Sequence, residues 1–199
     1  MTPQEIQAET AKLMGQFIRQ INQSLTKKQE HITIGCLNAT TGHITVQTSI
    51  GDEDFARNIA CPSGYPEKII RFHTHPRGTP LYSGGDMAGN LYERVGIDCI
   101  GYPIEEDKGQ IRCVQRRPHI NVDEEEAFIE EATKFQQSCV QWAKLLPLLF
   151  AGAELDDKMK ELAEQLRQVN EKFHQFVEDV SPIEEEDHIL EFPLKREKK

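Results

Sequence analysis

The chain has 199 residues, 38% hydrophobic and 28% charged, which suits one globular domain with its own core, with or without a small extension. The net charge of −10 is concentrated in residues 122–187, which carry 18 acidic and 6 basic side chains. This argues against nucleic acid as a partner, because phosphate contacts require lysine and arginine. No apolar run approaches the roughly 20 residues of a membrane helix, and the N-terminus lacks the features of a secretory signal.

The first 120 residues combine helical and strand periodicities. Apolar residues three and four apart predict an opening helix over residues 3–25. Short segments rich in isoleucine, valine and threonine predict five strands. The predicted strands are 31–37, 43–49, 68–75, 97–103 and 110–116, with a short helix near 84–95 before the fourth. This order predicts a mixed α/β fold.

The last third of the chain carries two apolar seams with alternating spacings of four and three residues. Such seams predict helices, here over residues 123–146 and 154–180, and Pro147 and Gly152 between them favour an antiparallel hairpin. The hairpin could cover the sheet, pair with itself or form a homodimer, and its acidic faces could bind a basic partner. We expect it to govern association or substrate choice, not chemistry.

These patterns divide the chain into three regions. They are a domain over residues 1–121, an acidic helical hairpin over 122–181 and a loosely ordered tail over 182–199. The five cysteines are odd in number and form no Cys-x-x-Cys pair, which argues against a disulfide framework and favours small buried thiols in a reducing cytoplasm. A cytoplasmic protein is therefore expected.

A short motif, His73-Thr74-His75-Pro76 followed by Ser83-Gly84-Gly85-Asp86, carries the candidate chemistry. In a strand, residues two apart point to the same side, so His73 and His75 can present both imidazoles to one metal ion. Two histidines and the Asp86 carboxylate would leave a fourth tetrahedral position open for water, as a catalytic zinc site requires. Each half alone has a simpler interpretation, because His-x-His pairs are usually structural and Ser-x-x-Asp is a helix capping box.

The complete motif resembles that of the JAMM metalloproteases, the catalytic branch of the MPN-domain family, over roughly residues 5–120. The resemblance implies a curved mixed sheet flanked by helices, here with a C-terminal helical hairpin extension. It implies that His73, His75 and Asp86 bind zinc and that Ser83 stabilises the oxyanion. It also implies hydrolysis of an isopeptide or peptide bond after the C-terminus of a ubiquitin-like protein.

The family also requires a glutamate near the first strand as the general base. Glu30 is our choice, and Glu53 and Glu67 are its competitors. Two other functions stay open. One is the processing of a small carrier-protein precursor, and the other is a non-catalytic scaffold, as many MPN domains are.

Overall fold

The structure is a computed structural model that describes residues 1–52, 56–142, 156–181 and 189–194. Within these ranges it contains four helices and seven strands, and this confirms the predicted mixed α/β class. Helices α1 to α4 are Pro3–Lys27, Gly84–Tyr92, Val122–Trp142 and Asp157–Phe173. Strands β1 to β7 are His31–Leu37, Ile44–Ile50, Glu67–Thr74, Ile97–Pro103, Lys108–Arg116, Val177–Val180 and Ile189–Pro193.

The strands form one mixed sheet in the order β2-β1-β3-β4-β5-β6, and β7 also pairs with β5. Strands β3 and β4 are parallel, whereas the pairs β1–β2, β1–β3, β4–β5 and β5–β7 are antiparallel. The parallel pair requires a crossover connection, and the chain between β3 and β4 contains the short helix α2. The candidate motif begins in β3 and ends in α2, so it follows this crossover.

Helix α1 covers one face of β3 and β4. Its start is fixed by a capping box, in which Thr2 accepts from the amide of Glu5 and the Glu5 carboxylate accepts from the amide of Thr2. Phe17 stacks on Phe72 of β3 with ring centroids 4.0 Å apart. A Cβ atom at Gly101 would lie 2.3 Å from Ile21, so α1 lies closely against β4 only because this strand position lacks a side chain.

The chain forms two compact units. The first comprises Met1–Gly78, Arg94–Gln115 and Asp179–Lys199, and the second comprises Thr79–Glu93 and Arg116–Glu178. The second unit therefore contains α2, α3 and α4, and α2 contacts both of the other helices. Those seam residues that the structure describes in this unit are mostly buried, among them Phe128, Ala132, Leu162, Leu166 and Phe173.

The end of the chain differs from the prediction. Helix α4 ends at Phe173, not near residue 180, because a tight turn over residues 174–176 leads into β6, where Val177 is fully buried. The predicted tail contains β7, which pairs with β5 and buries Phe192. The predicted helix end at 146 and the break at Pro147 and Gly152 lie outside the described residues.

Within the described ranges, no helix is both long enough and apolar enough to cross a membrane.

The expectation of five reduced cysteines is wrong for four of them. Cys36 bonds to Cys61, and Cys99 bonds to Cys113. Cys99 and Cys113 are direct partners across the β4–β5 ladder, and the sequence alone does not reveal that register. The first bond joins β1 to the connection between β2 and β3, two segments 25 residues apart.

We therefore predict that the denatured protein, prepared without reductant, exposes one thiol per chain to a thiol-specific reagent. After reduction the same assay should give five. A count of five before reduction would show that the cysteines are free, as the spacing first suggested.

Candidate metal centre

The alternation of side chains along β3 puts its Arg71 and His73 side chains on one face of the sheet. Phe72 contacts α1 through Phe17, and the Thr74 hydroxyl lies 2.9 Å from the hydroxyl of Ser24 on the same helix. Even-numbered residues of β3 thus face α1. Because successive side chains of a strand point to opposite faces, Arg71 and His73 face the other side of the sheet.

A buried ion pair lies beside His73. Arg71 and Asp98 are direct partners in the β3–β4 ladder, with side chains only 6% and 0% exposed, and the Arg71 guanidinium donates to both carboxylate oxygens of Asp98. Burial by itself raises the pKa of Asp98, but the Arg71 guanidinium and the nearby His73 ring outweigh it and hold this pKa below its usual value. Asp98 is therefore a carboxylate at neutral pH.

This carboxylate lies 3.7 Å from the Nδ1 atom of His73, longer than a hydrogen bond but close enough to favour a hydrogen on that nitrogen. An Nδ1–H directed at Asp98 leaves the lone pair of Nε2 for a metal ion. Histidine ligands of metal sites commonly have such an acceptor behind them, which fixes the tautomer and the ring orientation.

His75 follows β3 directly. Its backbone amide donates to the carbonyl of Gly101 at 2.8 Å, and its ring centroid lies 4.8 Å from that of His73. The chain then turns, with the amide of Gly78 bonded to the carbonyl of His75. Gly78 has φ = +83°, a conformation that glycine adopts without strain, so it sets the direction in which the chain leaves the strand.

The Ser83–Asp86 half of the motif forms the capping box that starts α2. The Ser83 hydroxyl accepts from the amide of Asp86 at 3.2 Å, and the Asp86 carboxylate accepts from the amide of Ser83 at 2.8 Å. The capping interpretation of Ser-x-x-Asp is therefore correct for the local structure. It does not exclude metal binding, because a carboxylate has two oxygens and the cap uses Oδ2.

His73 and His75 each offer a ring nitrogen at the end of β3, and Asp86 offers a carboxylate oxygen at the start of α2. Two imidazole nitrogens and one carboxylate oxygen are the donors that catalytic zinc uses, so the residues fit this metal.

The three candidate bases differ in position. Glu30 lies just before β1, and its carbonyl and amide bond to the backbone of Gly51 and Asp52. Glu30 lies two residues before Ile32, the partner of His73 in the β1–β3 ladder, so it is at the same end of β3 as the motif histidines. Glu67 pairs with Leu37 at the other end of β3, six residues and roughly 20 Å from His73 at the rise of a strand. Glu53 lies outside the described residues.

The sequence motif did not identify Arg71 and Asp98 as neighbours of His73, although the sequence contains a feature that indicates them. Asp98 is a single charge within the apolar strand Ile97–Pro103, and Arg71 stands two residues before His73, on its side of β3. A charge within a buried strand requires a partner, and this could have prompted a search for one.

No protein-family model, no curated protein and no solved structure matches this chain. The resemblance to the JAMM metalloproteases therefore depends on the motif and on the order of elements around it. The structure establishes the mixed α/β class, and the MPN type is a proposal.

We predict that Asp98→Asn lowers the free energy of unfolding by about 3–5 kcal/mol, because it leaves the buried Arg71 guanidinium without its counter-charge. Urea denaturation measures this loss. The matched control is Glu130→Gln, which removes a carboxylate paired with Lys134 at a site where both side chains are more than three-quarters exposed. Its effect should stay below about 0.5 kcal/mol, and equal effects of the two changes would contradict the prediction.

Proposed function

We propose that the protein is a zinc-dependent metallopeptidase that hydrolyses an isopeptide or peptide bond after the C-terminus of a ubiquitin-like protein. The observation that carries the proposal is the pair of histidines at the end of β3, His73 and His75, whose ring centroids lie 4.8 Å apart, with the carboxylate of Asp98 behind His73. His73, His75 and Asp86 are the ligand set that the JAMM motif implies. The proposal includes an MPN-type curved sheet with a C-terminal helical extension, and the order α1, β1–β2, β3, α2, β4–β5 supports it.

His73 and His75 would hold zinc through ring nitrogens, and Asp86 would hold it through a carboxylate oxygen. A zinc ion bound there would supply Lewis acidity, which polarises a carbonyl group and makes a water molecule acidic enough to act as a nucleophile near neutral pH. Asp98 would support this ligand set by orienting the ring of His73.

Ser83 and Glu30 would complete the catalytic groups. The Ser83 oxygen accepts from the amide of Asp86, so its own hydroxyl hydrogen is available to donate to the oxyanion of a tetrahedral intermediate. Glu30 would accept the proton of the attacking water as general base and return it to the leaving amine. The β1–β3 register, which pairs Ile32 with His73 and Leu37 with Glu67, supports this choice over Glu67.

The partners and the location belong to the same proposal. A ubiquitin-like protein or its conjugate would be the substrate, and a homodimer through α3 and α4 would require surface beyond the seam residues, which are largely buried within the chain. A cytoplasmic location is the original expectation. The two disulfides weigh against it, because such bonds are rare in the reducing cytosol.

The first test is metal content. The wild-type protein should bind one zinc ion per chain, and His75→Ala should lose it, because two remaining protein ligands make too weak a site. Elemental analysis after dialysis against a weak chelator measures this. His43→Ala is the control, since His43 is an exposed histidine whose ring contacts Tyr65. Full zinc occupancy in His75→Ala would remove His75 from the ligand set.

The second test isolates the general base. Glu30→Gln should retain zinc and fold while losing most hydrolysis of a ubiquitin-like fusion, because the amide keeps the shape but cannot accept a proton. A loss of about 10²–10⁴-fold in kcat is the usual range for such a group. Glu67→Gln, at the far end of β3, should be unaffected.

If Glu30→Gln is fully active, the base moves to Glu53. If the wild-type protein binds zinc but cleaves none of the ubiquitin-like conjugates or carrier-protein precursors of its own cell, the scaffold function replaces the peptidase.

A further inference from the structure

The backbone of Tyr82, the residue before Ser83, is held by a single side chain 88 positions later. The amide of Tyr82 donates to Oδ1 of Asn170 at 3.0 Å, and the carbonyl of Tyr82 accepts from Nδ2 of Asn170 at 2.9 Å. Asn170 lies on α4 and is 5% exposed. One primary amide thus satisfies both backbone groups of one residue, as a neighbouring strand would.

The orientation of this amide is fixed by a further hydrogen bond. Nδ2 of Asn170 also donates to the carbonyl of Leu166, one turn earlier in α4, at 2.9 Å. A flip of the amide would therefore break all three bonds at once. The Tyr82 ring is buried as well and lies 5.6 Å from the ring of Phe173, on the same helix. Helix α4 consequently holds Tyr82 by both backbone and ring.

Helix α3 holds the other end of the same segment. The amide of Gly85 donates to Oε1 of Gln136 at 2.6 Å, which satisfies one of the backbone donors that the first turn of a helix leaves without an intrahelical partner. A Cβ atom at Gly84 would lie 2.3 Å from the carbonyl oxygen of Ala132, so the start of α2 lies directly against the backbone of α3. This contact explains why residue 84 is a glycine.

Ser83 lies between these two attachments, and Asp86 directly follows the second. Their capping box joins each of their side chains to a backbone amide of the same segment. The positions of the Ser83 hydroxyl and the Asp86 carboxylate therefore depend on the position of the segment. A shift of about 1 Å in a catalytic group is enough to cost a large factor in rate.

We infer that Asn170 is a positioning residue for Ser83 and Asp86, with Gln136 as the second support. This inference rests on the proposed function and replaces the expectation that the C-terminal helices act only in association or substrate choice. Helices α3 and α4 then hold the Ser83–Asp86 half of the motif in place, and they form one compact unit with α2.

The test compares Asn170→Leu with Val169→Ala in the full-length protein. Leucine keeps the branched arrangement of four side-chain heavy atoms and removes both bonds to Tyr82. Val169→Ala shortens a neighbouring buried side chain of α4 and leaves the amide intact. Hydrogen exchange followed by mass spectrometry reports the amides of residues 82–86. Competition with a chelator reports the zinc affinity of the same samples.

Asn170→Leu should speed exchange in residues 82–86, leave exchange in β1 and β3 unchanged, and weaken zinc binding by roughly 10-fold or more, as loss of support behind a ligand does. Val169→Ala should change neither quantity beyond its effect on overall stability. Unchanged exchange in Asn170→Leu, or faster exchange with unchanged zinc affinity, would overturn the positioning role.

Two outcomes separate this inference from the proposed function. If the wild-type protein binds no zinc, the proposed function fails, and exchange in residues 82–86 alone decides whether Asn170 holds the segment. If Asn170→Leu does not fold, Gln136→Ala takes its place, because the half-buried Gln136 touches the segment at Gly85. Faster exchange at that amide together with weaker zinc binding would support the inference, and no change would refute it.

Discussion

Strand β3 imposes the constraint on which the other features depend. It lies between β1 and β4, and six of its eight residues are at most 5% exposed. A strand buried on both faces is usually apolar throughout, yet β3 carries Arg71 and His73. Asp98 makes this possible, because its carboxylate neutralises the guanidinium in the core and leaves one face of the strand polar. Removing a buried charge's partner costs far more than the pair contributes, so the three residues depend on one another.

The Ser-x-x-Asp half of the motif shows that a structural and a chemical interpretation of the same residues are compatible. The capping box starts α2 and also limits the rotamers of Ser83 and Asp86. A side chain already restricted by a structural hydrogen bond loses less conformational entropy when it binds a ligand. The local signal that argued against a functional interpretation is therefore part of what would make such a site effective.

The sequence predicted the bounds of α1 and of β1–β5 to within about two residues, because these elements are set by local periodicity. The features it did not predict depend on contacts between distant positions. The register that pairs Cys99 with Cys113 exists only once β4 and β5 are aligned. In the sequence, Asn170 looks like any polar residue of an amphipathic helix, because only the fold brings Tyr82 beside it. The end of α4 was also missed, since the apolar spacing continues through Phe176 although the chain leaves the helix.

Strand β7 makes the completion of the sheet a late event in synthesis. Gln110 of β5 bonds to Glu191 of β7, 81 positions later, and Phe192 lies against Gly109. At roughly 5–20 residues per second, a ribosome needs roughly 4–16 s to cover that distance. During this interval the β5 backbone groups that later bond to β7 have no strand to pair with, and an open strand edge is where nascent chains associate wrongly. Pairing with β7 is therefore what protects this part of β5 once synthesis reaches the C-terminal residues.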